Sequence, residues 1–427
     1  MKKLTFILTF SSLLFISCDK KKQVAKAQIN EIKSELFCFE KPASIGETNG
    51  VEFFEGGFSG LYYDKNEDIF YTITDRGPNL KHKVDSISEE VKIFPFPEYQ
   101  QKIIQLKVEG KKLKEIETIP LFDVDNKAIN GLPLAESEAK NKEIAWLSVK
   151  GEHIENSIFA ADFEAIAKDK NGDYWVTDEY QTSIWKFSPE GVVLQKFTPQ
   201  ASIAEERNGV LIDSIFSYRK PNRGFEGLSL TPKGQVWAML QSPLWLPSKE
   251  KTKNSRLVRI LHLDPTTNQT KTYLYEFSNQ EGIRTKDWKI GDLYAISETE
   301  FLVIEHATYK ENKSMKVFKF DVSEATDLSN FYNLNKFYPE ELNNENEANR
   351  KGVILAKKTL ILDLVEIGFD DSHSKPEGLT MVDYSTLVVA NDNDYAIEFD
   401  MDKKAYINNQ TKSCFYFFYL PKSIFDY

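Results

Sequence analysis

The sequence predicts an all-β protein, a β-propeller of six blades (within a range of five to seven) with long loops at its rim. Five segments share one layout: two short apolar strands joined by a polar turn and flanked by polar residues. The spacing is nearly constant, with 15 residues from Gly60 to Asp75 and 13 from Ala165 to Asp178. Such regular repetition is typical of sheets arranged around an axis. The five hairpins lie at 56–79, 161–187, 222–244, 289–307 and 375–395.

Composition and the remaining segments also indicate strands. Aromatic residues make up 13% of the chain, with 30 Phe and 19 Tyr, and they favour strands. A further hairpin at 102–121 lacks the polar flanks, and we count it as a sixth blade. The remaining length is predicted to form rim loops at 77–100, 122–160, 200–221 and 330–352. An elongated open sandwich is the alternative, and the regular spacing argues against it.

The N-terminus predicts export. Lys2 and Lys3 precede an apolar run that is too short to span a bilayer and fits a signal peptide. Cys18 follows that run directly, as in a bacterial lipobox, so we expect cleavage before it and lipidation of its thiol. Ordinary cleavage with an incidental cysteine is the alternative. The predicted divisions are a signal peptide at 1–17, the lipidated cysteine and a polar tether at 18–34, and one domain at 35–427.

These features place the domain in the cell envelope, outside the cytoplasm, and attached to a membrane only through its lipid. Cys38 and Cys414 could pair there as a disulfide, and two buried free thiols are an equally good interpretation. The aromatic run 414–420 is predicted to pair with a strand near 36–40 and so to close the ring.

The net charge limits the partners. Lys and Arg total 54 and Asp and Glu total 65, which gives a formal charge of −11. This charge argues against nucleic acid or an anionic membrane surface as the main partner, and it permits cation binding. We expect a monomer whose partner is a small anionic molecule.

The polar flanks of the hairpins predict a site. The start of the first strand and the end of the second lie at the same end of an antiparallel hairpin, so these side chains should meet at one rim. The first-strand starts carry Ser59, Asp162, Glu164, Glu226, Asp292 and Glu377, and the second-strand ends carry Asp75, Asp178, Glu179, Glu305, Asp392 and Asp394. Arg76, Arg223 and Lys375 adjoin them.

Clustered carboxylates repel one another unless cations compensate their charge, and oxygen ligands suit a hard cation such as Ca²⁺. Interleaved guanidinium groups suit a substrate anion. The metal ligands expected are Asp162, Glu164, Asp178, Glu179, Glu226, Asp292, Glu305, Glu377 and Asp392. The catalytic residues expected are Glu226, Arg223, Glu164, Glu377, Asp75 and Arg76. The alternative for any one acid is that it caps a turn.

Glu226 and Arg223 are the pair expected to matter most. Residues three apart on a strand normally face opposite sides, but a bulge at Gly224 could turn both toward the channel. Glu226 would then hold metal or activate water, while Arg223 would bind the substrate anion.

Other chemistries find little support. GFSG at 57–60 is one residue short of a nucleophile elbow and precedes a strand. The five histidines show no metal-ligand spacing, although His306 follows a rim acid and could be a general base or a polar rim residue. There is no P-loop, dinucleotide fingerprint or HExxH motif.

The motifs GGFSGLYYD…DRGPN, DFEAIAKD, NRGFEGLSLTP and KPEGLTMV resemble the phytase-like family, also described as esterase-like activity of phytase. The resemblance covers about 40 to 410, with Ala165 standing where the family usually has glycine. It implies a secreted or periplasmic propeller that hydrolyses phosphoesters or esters, and calcium binding by analogy with true β-propeller phytases. A non-catalytic propeller lipoprotein that binds a ligand or partner at the same rim is the alternative function.

Overall fold

The computed structural model describes residues 32–84, 89–135, 143–200, 209–369, 375–400 and 402–427. The predicted signal peptide, the lipidation site at Cys18 and most of the tether lie outside these residues. The first strand begins at Lys33, two residues before the expected start of the domain. No helix within the described ranges is long and apolar enough to cross a membrane.

Strands dominate the described chain. The N-terminal strands are β1 (Lys33–Phe39), β2 (Ser44–Thr48) and β3 (Val51–Phe54). The next group is β4 (Phe58–Asp64), β5 (Ile69–Thr74), β6 (Leu80–Val84), β7 (Glu89–Ile93), β8 (Lys102–Glu109), β9 (Lys112–Pro120), β10 (Ala145–Trp146) and β11 (His153–Ile154). A second group is β12 (Phe163–Lys168), β13 (Tyr174–Asp178), β14 (Ser183–Phe187), β15 (Val193–Thr198) and β16 (Val210–Leu211).

The remaining strands follow the same plan. They are β17 (Phe225–Leu230), β18 (Val236–Leu240), β19 (Leu257–Leu263), β20 (Thr270–Glu276), β21 (Lys289–Ala295), β22 (Glu300–Tyr309), β23 (Asn312–Asp321), β24 (Lys357–Asp363), β25 (Lys375–Asp383), β26 (Thr386–Asp392), β27 (Ile397–Asp400), β28 (Ala405–Asn408) and β29 (Cys414–Tyr419). The α-helices of the described residues are α1 (Lys249–Thr252), α2 (Phe331–Asn335) and α3 (Glu345–Arg350). Short 3₁₀ turns lie at Ser214–Tyr218, Thr285–Asp287, Pro339–Glu341, Asp394–Ala396 and Ile424–Asp426.

The strands form a β-propeller, as the sequence predicts, and its blades number five in the described chain. Their strand orders are β4-β5-β8-β9, β12-β13-β14-β15-β16, β17-β18-β19-β20, β21-β22-β23-β24 and β25-β26-β29-β1. The outer strands of the first and fifth blades, β9 and β1, pair in parallel at Cys38↔Lys112 and Phe39↔Leu113, so these two blades form one eight-stranded sheet. The expected number of six blades is therefore wrong, and the observed five lie within the predicted range of five to seven. The hairpin at 102–121 is not a separate blade, because its β8 pairs with β5 as the outer half of the first blade.

The innermost strands β4, β12, β17, β21 and β25 contact one another in cyclic order around the axis. Small residues permit this close approach. A side chain at Gly60 would place its Cβ 2.6 Å from the Cα of Ala165, and one at Gly227 would lie 2.8 Å from the nitrogen of Leu293. Ala165 thus stands where neighbouring inner strands leave room for little more than a methyl group.

The two ends of the chain close the ring, as predicted. Strand β1 pairs with β29 in the register Leu36↔Tyr416 and Cys38↔Cys414, and it completes the fifth blade. Cys38 and Cys414 form a disulfide. Of the two interpretations left open by the sequence, the disulfide is therefore correct and the pair of free thiols is not.

Apolar side chains fill the spaces between blades, and Trp175, Trp185 and Trp237 are all buried there, as expected of core residues. The predicted loops 77–100 and 122–160 instead contain strands. Strands β6, β7, β10 and β11 form an extra sheet that packs with the hairpins β2–β3 and β27–β28 around Phe53, Tyr395 and Tyr406. These strands branch from the rim ends of the first and fifth blades and build a wall beside the channel mouth.

Candidate metal and anion site

All five inner strands are irregular at the rim end. Their pairing with the second strand shifts between Phe58/Gly60, Phe163/Ile166, Phe225/Gly227, Ile290/Leu293 and Pro376/Gly378. The residues within these shifts include Ser59, Glu164, Glu226, Asp292 and Glu377. A bulge re-aims the side chain of its extra residue, so the repeated irregularity is what releases these polar groups from the ladder.

Three carboxylates of the second blade converge and are named here the open group. Ligand oxygens of Asp162, Glu164 and Glu179 all lie within 4.8 Å of one another. The side chains are nearly inaccessible, with 2%, 8% and 1% exposed. Asp162 Oδ1 and Glu179 Oε1 have no hydrogen-bond partner among the described residues. Buried carboxylate oxygens are normally satisfied, so these two atoms are available to a ligand.

The backbone holds the open group in place. The amide of Glu179 donates to the carbonyl of Asp162 at 2.8 Å. A side chain at Gly224 would overlap the carbonyl oxygen of Glu179, which explains the glycine. The predicted bulge at Gly224 is therefore corrected: the bulge lies at Glu226, and Gly224 permits close contact with the second blade.

Burial and mutual repulsion raise the pKa values of the open group. The pKa of Glu179 rises to about 7 through burial and the charge of Asp162. The pKa of Glu164 rises well above its usual range through burial and the charges of Glu226 and Asp162. Burial also raises the pKa of Asp162, although Arg76 opposes the shift. A bound cation would relieve this repulsion.

Glu226 lies beside the open group. Its Oε1 accepts a hydrogen bond of 2.7 Å from Gln241 Nε2, and its Oε2 is without a partner in the described part of the chain. Burial and the charges of Glu179 and Glu377 raise its pKa well above the usual range. Glu226 is thus a buried carboxyl group with one oxygen available and a strong affinity for a proton.

A second set of carboxylates is named the lysine-bound group. Oxygens of Asp75, Asp392 and Asp394 also lie within 4.8 Å of one another. Here an ammonium group compensates the charge, because Lys375 Nζ lies 2.8 Å from Asp392 and 3.1 Å from Asp394. The same ammonium lies 3.5 Å from Glu377.

A left-handed turn positions the lysine-bound group. Asp394, Tyr395 and Ala396 have φ values of 45°, 55° and 54°, a conformation that costs roughly 1–2 kcal/mol for each such residue. The hydroxyl of Tyr395 donates to the carbonyl of Asp75 at 3.3 Å, and Asn393 Oδ1 accepts from the amide of Gly57 at 2.9 Å. These contacts hold the turn against the first blade.

A cavity of about 530 Å³ opens beside the lysine-bound group, and Lys375 and Asp394 are part of its lining. Basic and acidic side chains share this lining, which includes Arg223, Lys289, Lys313 and Lys375 together with Asp287, Asp394 and Glu398. His306 also lines the cavity. Burial, together with the charges of Lys289, Lys375 and Arg223, holds the pKa of His306 well below its usual range, so the imidazole is neutral at pH 7. The basic side chains of the lining offer contacts to an anion.

Three expected ligands are already satisfied by the protein. Asp178 accepts from the amides of Asp162 at 3.1 Å and Tyr180 at 3.0 Å and from Ser183 Oγ at 2.9 Å, as a turn-capping residue does. Glu305 bonds to the Tyr275 hydroxyl and Lys358 Nζ between blades three and four. Neither belongs to the two groups above.

Asp292 is likewise structural. Its carboxylate accepts from the amides of Leu293 at 2.7 Å, Leu379 at 2.9 Å and Leu61 at 3.4 Å. It thereby joins inner strands of three blades at the axis. We exclude Asp178, Asp292 and Glu305 from the metal ligands for this reason.

Arg76 also differs from its expected catalytic role. Its guanidinium donates to Glu143 and to the Gly131 carbonyl, both at 3.0 Å, and lies 4.3 Å from the centre of the Tyr180 ring. Its Nη1 lies 3.6 Å from Asp162. Arg76 is thus a buried positioning residue for the open group.

Sequence reasoning missed two groups. Lys289 begins β21 as Lys375 begins β25, and that shared position could have revealed it. Glu143, which lies 3.0 Å from Arg76, comes from a long connection without any repeated pattern.

The fold and site define a five-bladed propeller with an acidic channel mouth beside a cavity lined by basic and acidic side chains. The chain belongs to the phytase-like family, described as esterase-like activity of phytase, whose family model matches residues 55–395. A curated relative, an uncharacterized secreted protein of Arthroderma benhamiae, is 30% identical over 134 residues. That alignment spans 27% of this chain and 26% of the relative. Family membership suggests a hydrolase.

Similar solved structures include a protein from Lactobacillus plantarum, with 11% identity, a TM-score of 0.34, and coverage of 89% of this chain and 96% of the other. A GH43 β-1,3-galactosidase has 7% identity, a TM-score of 0.39, and coverage of 90% and 60%. A virginiamycin B lyase from Staphylococcus aureus has 9% identity, a TM-score of 0.30, and coverage of 91% and 100%. Similarities at this level say nothing about the reaction.

Proposed function

We propose that the protein is a lipid-anchored hydrolase that acts outside the cytoplasm on a phosphoester or ester, with Ca²⁺ bound at the open group. The observation that carries the proposal is the group of buried carboxylate oxygens without partners in the described chain, near Arg223 and Lys289 of the cavity lining, whose charges oppose the rise that burial causes in the pKa of Glu179. Family membership and the secreted relative support hydrolysis and the extracytoplasmic location.

The donors fit a hard divalent cation. Asp162, Glu164 and Glu179 offer only oxygen atoms, two of which have no partner among the described residues. Ca²⁺ favours carboxylate oxygens, and soft metals favour sulfur or imidazole ligands. When bound, such an ion would polarise the oxygen of the scissile group and neutralise the charge that develops there.

The chain's own residues supply the remaining roles. Arg223 and Lys289 line the cavity. Both oppose the rise that burial causes in the pKa of Glu179, and Lys289 also opposes that of Glu226, so a substrate anion bound by them lies close to the acids. Glu226 Oε2 is the available oxygen that takes the proton from the attacking water. Arg76 keeps Asp162 oriented.

A hydrolysis panel tests the proposal. Phosphomonoesters, phosphodiesters, phytate and carboxyl esters are assayed with chelated protein, before and after Ca²⁺ is restored. We expect turnover of at least one class that depends on Ca²⁺. If no class is turned over but a phosphate compound raises the melting temperature, the rim is a binding site and the alternative function, a non-catalytic propeller lipoprotein, is correct.

A further inference from the structure

The ammonium group of Lys375 lies among the carboxylates at the lysine-bound group. It contacts Asp392 at 2.8 Å, Asp394 at 3.1 Å and Glu377 at 3.5 Å. One ammonium group therefore makes ion pairs with three carboxylates.

The fold builds this arrangement into the backbone. Lys375 is the first residue of β25 and is directly paired with Asp392 on β26. Asp392 Oδ1 accepts from the amide of Asp394 at 2.8 Å, within the left-handed turn that brings Asp394 to the ammonium. The strand pairing and the turn thus bring the ammonium group of Lys375 next to the carboxylates of Asp392 and Asp394.

The open group has fewer close basic contacts for its three carboxylates. Its nearest basic contact in the described chain is Arg76 Nη1, 3.6 Å from Asp162. That guanidinium is shared with Glu143 at 3.0 Å. Glu164 and Glu179 have no basic group within ion-pair distance among the described residues. The two groups therefore hold similar oxygen ligands but different amounts of positive charge.

We propose that Lys375 replaces a second divalent cation at the rim. The channel mouth then takes one metal ion, at the open group, and the lysine-bound group takes one only when the lysine is removed. This inference rests on the proposed function for the first ion, while the role of Lys375 is tested independently of hydrolysis.

The test is the number of Ca²⁺ ions bound per chain, measured by calorimetry and equilibrium dialysis on chelated protein. Lys375→Met removes the charge and keeps most of the side-chain volume. Lys313→Met, which changes another residue lining the same cavity, is the matched control. We expect Lys375→Met to bind one more ion than the wild type, and Lys313→Met to bind the wild-type number.

Each outcome has one meaning for the role of Lys375. If Lys375→Met and the wild type bind the same number of Ca²⁺ ions, Lys375 does not replace a cation, even where wild-type hydrolysis still requires Ca²⁺. If Lys375→Met binds one more ion, the role of Lys375 is supported, even where the wild type hydrolyses nothing and the proposed function fails. A gain that also occurs in Lys313→Met overturns it, because general loss of positive charge then explains the result.

A second variant covers poor folding of Lys375→Met. Lys375→Gln also removes the charge, and its side-chain amide can still donate a hydrogen bond to a neighbouring carboxylate. We expect this protein to bind one more ion than the wild type. The wild-type number of ions in a folded Lys375→Gln protein would overturn the proposal.

Discussion

The two carboxylate groups at the channel mouth differ in how their charge is compensated. Each brings ligand oxygens of three acidic side chains within 4.8 Å of one another. In one group the Lys375 ammonium lies 2.8 Å from Asp392 and 3.1 Å from Asp394, whereas the nearest basic group to the other in the described chain is Arg76, 3.6 Å from Asp162. The number of acids therefore does not identify a metal site. Our proposal places the metal by uncompensated charge instead, because a buried carboxylate without a cation or a hydrogen bond is costly.

The largest effect is expected at Glu226, which lies beside the open group. Glu226→Gln keeps the shape and the Gln241 contact but removes the charged oxygen. We expect turnover to fall at least about 100-fold, the lower end for loss of a general acid or base. The melting temperature in chelator should not fall, since the amide relieves repulsion from Glu179. Full activity in this variant would remove Glu226 from the mechanism.

Asp292 provides a contrast to both carboxylate groups, because its carboxylate already accepts hydrogen bonds from backbone amides. Asp292→Asn replaces one acceptor oxygen with an amide donor that faces backbone N–H groups. We expect the free energy of unfolding to fall by about 1–3 kcal/mol, with Ca²⁺ affinity of the folded protein unchanged. Denaturant unfolding and calorimetry measure both quantities. Loss of Ca²⁺ binding without loss of stability would return Asp292 to the metal ligands.

Arg223 tests the cavity, which it lines together with Lys375 and Asp394 of the lysine-bound group. Arg223→Met should lower kcat/KM for an anionic substrate about tenfold, since charge-assisted hydrogen bonds contribute about 1.5–3 kcal/mol at most when fully formed. Ca²⁺ stabilisation should persist in this variant. An equal loss for a neutral ester would show that Arg223 does not act through the substrate charge.

The smallest effect concerns pH. The pKa of Glu179 in the folded protein is about 7, above its ordinary value of 4.5, so its contribution to stability is complete below pH 4.5 and is lost as the pH rises through 7. In chelator, the melting temperature of the wild type should fall by a few °C between pH 5 and 8 relative to Glu179→Gln. With Ca²⁺ bound, the melting temperatures of the wild type and Glu179→Gln should change equally with pH. If they also change equally in chelator, the raised pKa of Glu179 is contradicted.

Local pattern was enough to predict the hairpins and their common rim. The segment 222–244 contains strands Phe225–Leu230 and Val236–Leu240, and polar ends of such hairpins do meet at one end of the channel. The pairing of 414–420 with the N-terminal strand was also predictable, because an aromatic run at each end needs a partner.

Contacts between distant segments decided the rest. Alternation along the chain does not show that 102–121 pairs with β5, nor that Asp292 meets amides of two other blades. The direction of Glu226 depends on a bulge, which shifts the side-chain period by one residue. The distinction between the two carboxylate groups depends on one ammonium whose position only the folded ring defines.

Ca²⁺ titration of chelated Glu179→Gln and Asp394→Asn tests the central claim most directly. The two variants each neutralise one acid, the first in the open group and the second in the lysine-bound group. We predict that the wild type and Asp394→Asn bind Ca²⁺ with similar affinity and that Glu179→Gln loses the binding heat. Retained binding in Glu179→Gln together with loss in Asp394→Asn would contradict the assignment of the metal site to the open group.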